Sequence, residues 1–390
     1  MNSNKCRLCN SKLFTRSLLQ LRGMPKAAQH FPNKNEFAED KGITLNVFQC
    51  TECSLVQLNI DPVDYFREVI TAASFSEKTR RARLDQMKKF ISRFHLQGKK
   101  ILEVGSGKGD MLDILKDAGA VAIGIEASSE SVEAGQSAGR KMVTGYIGEI
   151  DKIEGSPFDA FVSFNYIEHM PNPGVIINKI YNNMTTEGVG FVTVPNLEYL
   201  LRTKCFYEFV ADHLSYFTKQ TLKYAFESNN FKVLDCYTIN NDNDILAVVK
   251  KKKSKEIEVS IKKKEPINIS GYFKEVEDLM KNLNQIVNRY KTENKKIAVW
   301  GAGHRTLALL ALSKLSKIDY IVDSAKFKQG KFSPVLHLRI LPPETLQKEK
   351  VDLVIVMVPG IYPDEVISTV KKMDVASDIA KLKDNKIEFI

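Results

Sequence analysis

The 390-residue chain has no long apolar run. No stretch approaches the roughly 18 apolar residues that a membrane span needs. The longest, such as Val351–Pro359, are short and read as buried strands. A positively charged opening followed by an apolar segment is also missing. Met1–Asn10 is polar and holds two cysteines, so the expectation is a cytoplasmic protein without a secretory signal. Nor are the six cysteines spread like a disulfide framework. Four form two tight pairs, and Cys205 and Cys236 stand apart. Paired cysteines in a long chain of this kind point to metal and not to bridges. There is no short tandem repeat.

What remains is ordinary globular composition, 43% apolar and 27% charged. The length suggests two or three domains. A net charge of +10 invites a nucleic-acid partner. However, Lys250–Lys253, Lys255 and Lys262–Lys264 put eight lysines into one segment. Like charges keep such a segment extended and solvated, as in a linker. Without it the chain is close to neutral, so nucleic acid is not the expected partner.

Cys6-Arg-Leu-Cys9 and Cys50-Thr-Glu-Cys53 are two Cys-x-x-Cys knuckles. Together they offer four thiolates, enough for one closed tetrahedral zinc site. A closed site is structural, because catalytic zinc keeps a position open. The alternative is a set of free buried thiols. Between the knuckles, Leu21-Arg-Gly-Met-Pro-Lys-Ala-Ala28 reads as a turn able to reach a ligand.

Apolar spacing predicts a helix over 79–94. Short strands then alternate with helices: Lys100–Val104, Val121–Ile125, Phe158–Phe164 and Gly190–Val194, with a closing hairpin from Phe231–Tyr237 and Ile245–Val249. Such alternation means a parallel, doubly wound sheet. After the lysine segment, Tyr272–Tyr290 reads as an amphipathic helix. Lys296–Trp300, Ile318–Val322 and Val351–Met357 then form a second α/β unit. The expected fold class is α/β: a zinc module over 1–68, a central doubly wound Rossmann-like domain over 69–250, a linker over 251–268 and a C-terminal Rossmann-like domain over 269–390.

Both α/β units place glycines directly after their first strand, where the backbone turns sharply and the next helix presents free N–H groups. Both end their second strand in an acid. Glu126 lies 21 positions after Gly105, and Asp323 lies 22 after Gly301. A carboxylate there can accept from the hydroxyls of an adenosyl ribose. In the first loop, Glu103-Val-Gly105-Ser106-Gly107-Lys-Gly109, an acid also precedes the first glycine. A pyrophosphate is repelled by that neighbour, whereas a cationic sulfonium with an amino-acid tail is not. The first loop therefore points to S-adenosylmethionine and away from a dinucleotide. The second loop, Gly301-Ala-Gly303-His304-Arg305, lacks the third glycine of the dinucleotide fingerprint. His304 and Arg305 could bind a phosphate at the helix start, or the loop is a scaffold without a ligand.

Asn165-Tyr166-Ile-Glu168-His169-Met-Pro171-Asn172 follows the strand Phe158–Phe164, at the carboxyl edge where ligands of such sheets sit. A lone His is often structural. The segment lacks the acid or Asn, paired prolines and aromatic of base-modifying amino-methyltransferases. Asp212-His213-Leu-Ser-Tyr216-Phe217 adds a second His, the side chain most easily set near neutral pH as a base.

Together these motifs resemble the sugar C-methyltransferases that act on nucleotide-linked 4-keto sugars in deoxysugar biosynthesis. The resemblance spans nearly the whole chain, including the C-terminal string Asp323-Ser-Ala-Lys-Phe-Lys328-Gln-Gly-Lys-Phe-Ser-Pro334. It implies a methyl donor in the central domain, held by Glu103, Gly105, Ser106, Gly107, Gly109, Glu126 and Asn165. It implies a nucleotide-linked sugar in a cleft between domains, met by Tyr166, Glu168, Tyr216, His304, Arg305 and Lys328. His213 is the implied base, with His169 close to the substrate and Asp212 orienting the ring. Structural Zn(2+) is implied at Cys6, Cys9, Cys50 and Cys53. Two departures stand out. Val210 replaces a family tyrosine, and Val69–Ser76 replaces a tyrosine- and serine-rich segment. Oxygen or nitrogen methylation of a sugar or related metabolite therefore stays open. An RNA-binding methyltransferase would bind in a strongly salt-dependent way, and a non-catalytic scaffold would not bind the donor.

Overall fold

The computed structural model describes residues 4–68, 77–252, 266–267, 269, 272–358 and 362–390. The departure at Val69–Ser76 and most of the expected linker lie outside them. Of the lysine run, Lys250 and Lys251 belong to the strand Asp244–Lys251. There Lys251 Nζ donates to the carbonyls of Tyr181 and Met184.

The chain folds as two compact units. The first comprises 1–16, 48–197 and 213–266; the second comprises 17–47, 198–212 and 267–390. Each unit is thus assembled from three separate segments of the chain. Of the stretch Leu21–Ala28 expected to be a turn, the first half belongs instead to the strand Leu19–Met24, and bends follow after Pro25. The strand pairs antiparallel with Ile43–Gln49 around a bulge at Arg22/Met24, and it packs on the helix His304–Leu312 of the second unit.

The first unit is built on a seven-stranded sheet. Its order is Phe231–Ile239, Asp244–Lys251, Met184–Pro195, Phe158–Phe164, Lys100–Val104, Val121–Glu126, Met142–Thr144. All strands are parallel except Asp244–Lys251, which runs antiparallel to both neighbours. Side chains alternate between two buried faces. Ile101, Ala160 and Val162 join Met87, Ile91 and Leu115 on one side. Leu102, Val104 and Phe161 join Ile177, Ile180 and Phe226 on the other. Both faces are covered, so the strands read as continuous apolar runs. The chain moves outward from Lys100–Val104 to Met142–Thr144 and then returns to Phe158–Phe164 on the opposite side. That makes the carboxyl ends of Lys100–Val104 and Phe158–Phe164 the topological switch point, where doubly wound sheets bind ligands.

The second unit has a six-stranded sheet, ordered Ile340–Leu341, Tyr320–Val322, Ile297–Trp300, Leu353–Val356, Asp378–Lys383, Lys386–Phe389. Only Lys386–Phe389 is antiparallel to its neighbour. The expected helix after the linker runs Tyr272–Thr292.

Gly190 tests the packing of the first sheet. A Cβ there would stand 2.1 Å from the Phe161 ring, inside the core. Gly190→Ala is expected to destabilise this unit by about 1–3 kcal/mol, read as a lower midpoint for its transition in chemical denaturation. An unchanged midpoint would contradict the packing described.

Candidate active site

At the switch point the first glycine loop is held from three directions. Gly105 has φ +72°, a backbone region that glycine enters freely. A Cβ there would lie 2.3 Å from the Tyr166 ring, so the loop and the segment after Phe158–Phe164 are packed in contact. Gly107 N donates to Glu126 Oε2 at 2.9 Å, and Ser128 N donates to Glu126 Oε1 at 3.0 Å. Gly109 caps the helix Asp110–Asp117. Ser106 is buried, and its Oγ has no hydrogen bond among the described residues.

Glu103 is buried, and its Oε2 has no hydrogen bond among the described residues. Burial, then the charges of Asp110 and Glu126, hold its carboxyl well above the usual carboxylate range. An orphaned acidic oxygen beside a glycine loop suits a cationic ligand, which would satisfy it. A dinucleotide's pyrophosphate would not. The pocket residues thus fit S-adenosylmethionine.

Asn165 adopts φ +47° at the end of Phe158–Phe164. Its Oδ1 accepts from Thr193 Oγ1 at 2.7 Å, and its Nδ2 donates to Asp244 Oδ1 at 3.3 Å. Asp244, on the antiparallel strand, carried no motif that could have marked it.

The acceptor-side residues Glu168, His169, His213 and Tyr216 also come together in this unit. The His169 and His213 rings meet edge to face at 4.7 Å. The Tyr216 ring lies 6.1 Å from His213. Leu214 N donates to Glu168 O at 2.9 Å, which ties the second His segment to the first. Glu168 is buried, and burial pushes its carboxyl up to about 8.

The remaining expected residues lie in the second unit. Asp212 accepts from Ala28 N at 2.7 Å through Oδ2. His304 Nε2 lies 2.8 Å from Glu208 Oε2. Burial alone would lower the pKa of His304, but the charges of Glu208 and then Asp212 outweigh it and raise it. Arg305 donates to Tyr207 Oη at 2.9 Å and lies 3.6 Å from Glu208 Oε1. Glu208 and Tyr207 were missed in sequence because nothing in their spacing links them to the second glycine loop. Lys328 is buried, donating to Ala302 O at 3.0 Å and lying 3.5 Å from Asp323 Oδ2. Asp323 Oδ2 in turn accepts from Ala302 N at 2.7 Å. Lys328 therefore braces the second loop. Val210, standing for the family tyrosine, is buried.

The four paired cysteines cluster in the first unit. Cys6 Sγ lies 3.4 Å from Cys53 Sγ and Cys9 Sγ 3.5 Å from Cys50 Sγ. All four ligand atoms lie within 4.8 Å of one another. Backbone N–H groups of Leu8, Glu52 and Cys53 point at Cys6 or Cys50 sulfur at 3.4 Å. Zn–S bonds of about 2.3 Å imply tetrahedral sulfurs close to this spacing, so the donor set fits a zinc ion.

Strand order, switch-point loop and paired carboxylates define an S-adenosylmethionine-dependent methyltransferase. A family model described as a methyltransferase domain matches 76–235, and one described as a C-methyltransferase C-terminal domain matches 230–377. The chain thus carries a methyltransferase domain followed by a C-methyltransferase C-terminal domain. It is 23% identical over 366 residues to C-methyltransferase NovU of Streptomyces niveus, covering 87% of this chain and 86% of that one. Among solved structures it resembles an S-adenosylmethionine-dependent methyltransferase of Clostridium acetobutylicum. That likeness has 12% identity, 44% of this chain, 92% of the other and TM-score 0.39. It also resembles one of Mesorhizobium loti, with 12% identity, 43% of this chain, 100% of the other and TM-score 0.37. No helix among the described residues is long and apolar enough to cross a membrane.

Glu126→Ala removes the acceptor that fixes Gly107 and, with the donor placed at this loop, a hydrogen-bond acceptor for it. A hydrogen bond to a charged group contributes about 1.5–3 kcal/mol, so donor affinity should fall roughly tenfold to a hundredfold in calorimetry. Unchanged affinity would contradict this placement of the donor.

Proposed function

We propose that the enzyme methylates a carbon next to the keto group of a nucleotide-linked sugar, with His213 as the base. The observation that carries this reading is the edge-to-face His169–His213 pair in the unit that holds the donor loop. The likeness to NovU, a C-methyltransferase, extends over most of the chain and supports carbon as the acceptor.

A carbon beside a ketone becomes nucleophilic only after losing its proton, and the oxygen that gains charge must be stabilised. Bound S-adenosylmethionine supplies an electrophilic methyl group. The rest of the chemistry falls to side chains. An unprotonated His213 imidazole takes the proton from carbon. His169, ring edge against it, is placed to orient the substrate carbonyl, and Tyr216 flanks His213. Glu103 and Glu126 hold the cationic donor and its ribose, while Asn165, Tyr166 and the Gly105–Gly109 turn shape its pocket. In the second unit His304 and Arg305 carry the positive charge suited to a sugar nucleotide's phosphates. Cys6, Cys9, Cys50 and Cys53 would hold a structural zinc, and reduced thiolates of this kind suit the cytoplasm.

His213→Asn is expected to retain donor binding and lose about 10²–10⁴-fold in turnover of a nucleotide-linked keto sugar. Turnover within a factor of a few of wild type would remove His213 from the role of base. Metal analysis of the purified chain should find one zinc that Cys9→Ser and Cys50→Ser release. Full retention in both would refute the thiolate site.

A further inference from the structure

The acceptor-side cluster has a property that base catalysis does not use. Glu168, on the 3-10 turn Ile167–His169, has a side chain only 1% exposed. Neither of its carboxylate oxygens has a hydrogen-bond partner among the described residues. His169 Nε2 lies 3.9 Å from its Oε1, and His213 brings the second imidazole against the first. One ligand atom from each of the three lies within 4.8 Å of the other two.

A buried carboxylate without hydrogen bonds is costly unless a proton or a cation compensates it. Two imidazole nitrogens and one carboxylate oxygen make a three-ligand set with open positions. It suits zinc, cobalt or nickel, whereas magnesium and calcium prefer oxygen ligands. Metal–ligand bonds of about 2.0–2.2 Å would draw the donor atoms closer together. Glu168 is buried and the two imidazoles are partly exposed, so metal binding would move the imidazoles toward the carboxylate. The set shares no residue with the four cysteines.

We propose that Glu168, His169 and His213 form a second transition-metal site whose occupancy inhibits the enzyme. A His213 lone pair donated to a metal cannot accept a proton. The inhibitory consequence rests on the proposed role of His213; the binding itself does not.

The test uses the full chain, first loaded with one equivalent of zinc. That zinc keeps the thiolates occupied, since it binds such sites more tightly than cobalt does. Titration with Co(2+), followed by calorimetry and visible absorption, should show one further equivalent per chain. Mg(2+) at the same concentration should show none. Glu168→Gln and His169→Asn should each weaken that equivalent by about tenfold or more, while retained S-adenosylmethionine binding shows that they are folded. Wild-type turnover should fall in step with cobalt occupancy. Absence of a further equivalent, or one unaffected by both substitutions, would overturn the site. A bound equivalent with undiminished turnover would overturn the inhibitory role, and would count against His213 as base without touching the site.

Discussion

One carboxylate organises the glycine loop of the first unit. Glu126 closes the second strand of the seven-stranded sheet and accepts from the backbone of Gly107, in the loop that follows the first. That bond ties the ends of two adjacent parallel strands, and the contact of Gly105 with the Tyr166 ring ties in a third. The loop is thereby fixed at the switch point before any ligand arrives, which is the preorganisation that binding energy and catalysis draw on. Glu103 lies under the same loop with an unsatisfied buried oxygen. The site is therefore electrostatically incomplete in a way that a cation completes.

The second unit repeats the mechanical device with a different electrical outcome. Asp323 accepts from Ala302 N just as Glu126 accepts from Gly107 N. There, however, the acid has an internal cation, Lys328, which also donates to the loop carbonyl of Ala302. His304 and Arg305 both face the one carboxylate of Glu208. Lys328 braces the second loop from within, whereas the first leaves a buried carboxyl oxygen of Glu103 without a hydrogen bond among the described residues. One backbone pattern thus supports the proposed donor site in one unit and a lysine-braced turn in the other.

Much of this was legible in the chain. Strand positions followed from apolar runs bounded by glycine, and Lys100–Val104 and Phe158–Phe164 lie where expected, because both faces of a parallel sheet are buried. Glu103, the glycine turn and Glu126 were legible because their spacing is local to one strand-turn-helix and the strand after it. The convergence of His169 with His213 was not, since residues 44 positions apart meet only through the tertiary fold. Nor was the grouping of Ser17–Val47 with the second unit, which depends on the packing of Leu19–Met24 against His304–Leu312. Glu208 was hidden for the same reason: its partners are about a hundred residues away and carry no shared spacing.

In the proposed reaction the His169–His213 pair serves proton removal from carbon in front of the methyl donor. The most direct measurement is solvent deuterium exchange into a nucleotide-linked keto sugar, followed by nuclear magnetic resonance with a non-reactive donor analogue bound. The account predicts exchange at the carbon next to the keto group with wild-type enzyme, and its loss in His213→Asn. Transfer of an isotopically labelled methyl to oxygen, with no exchange at carbon, would contradict it.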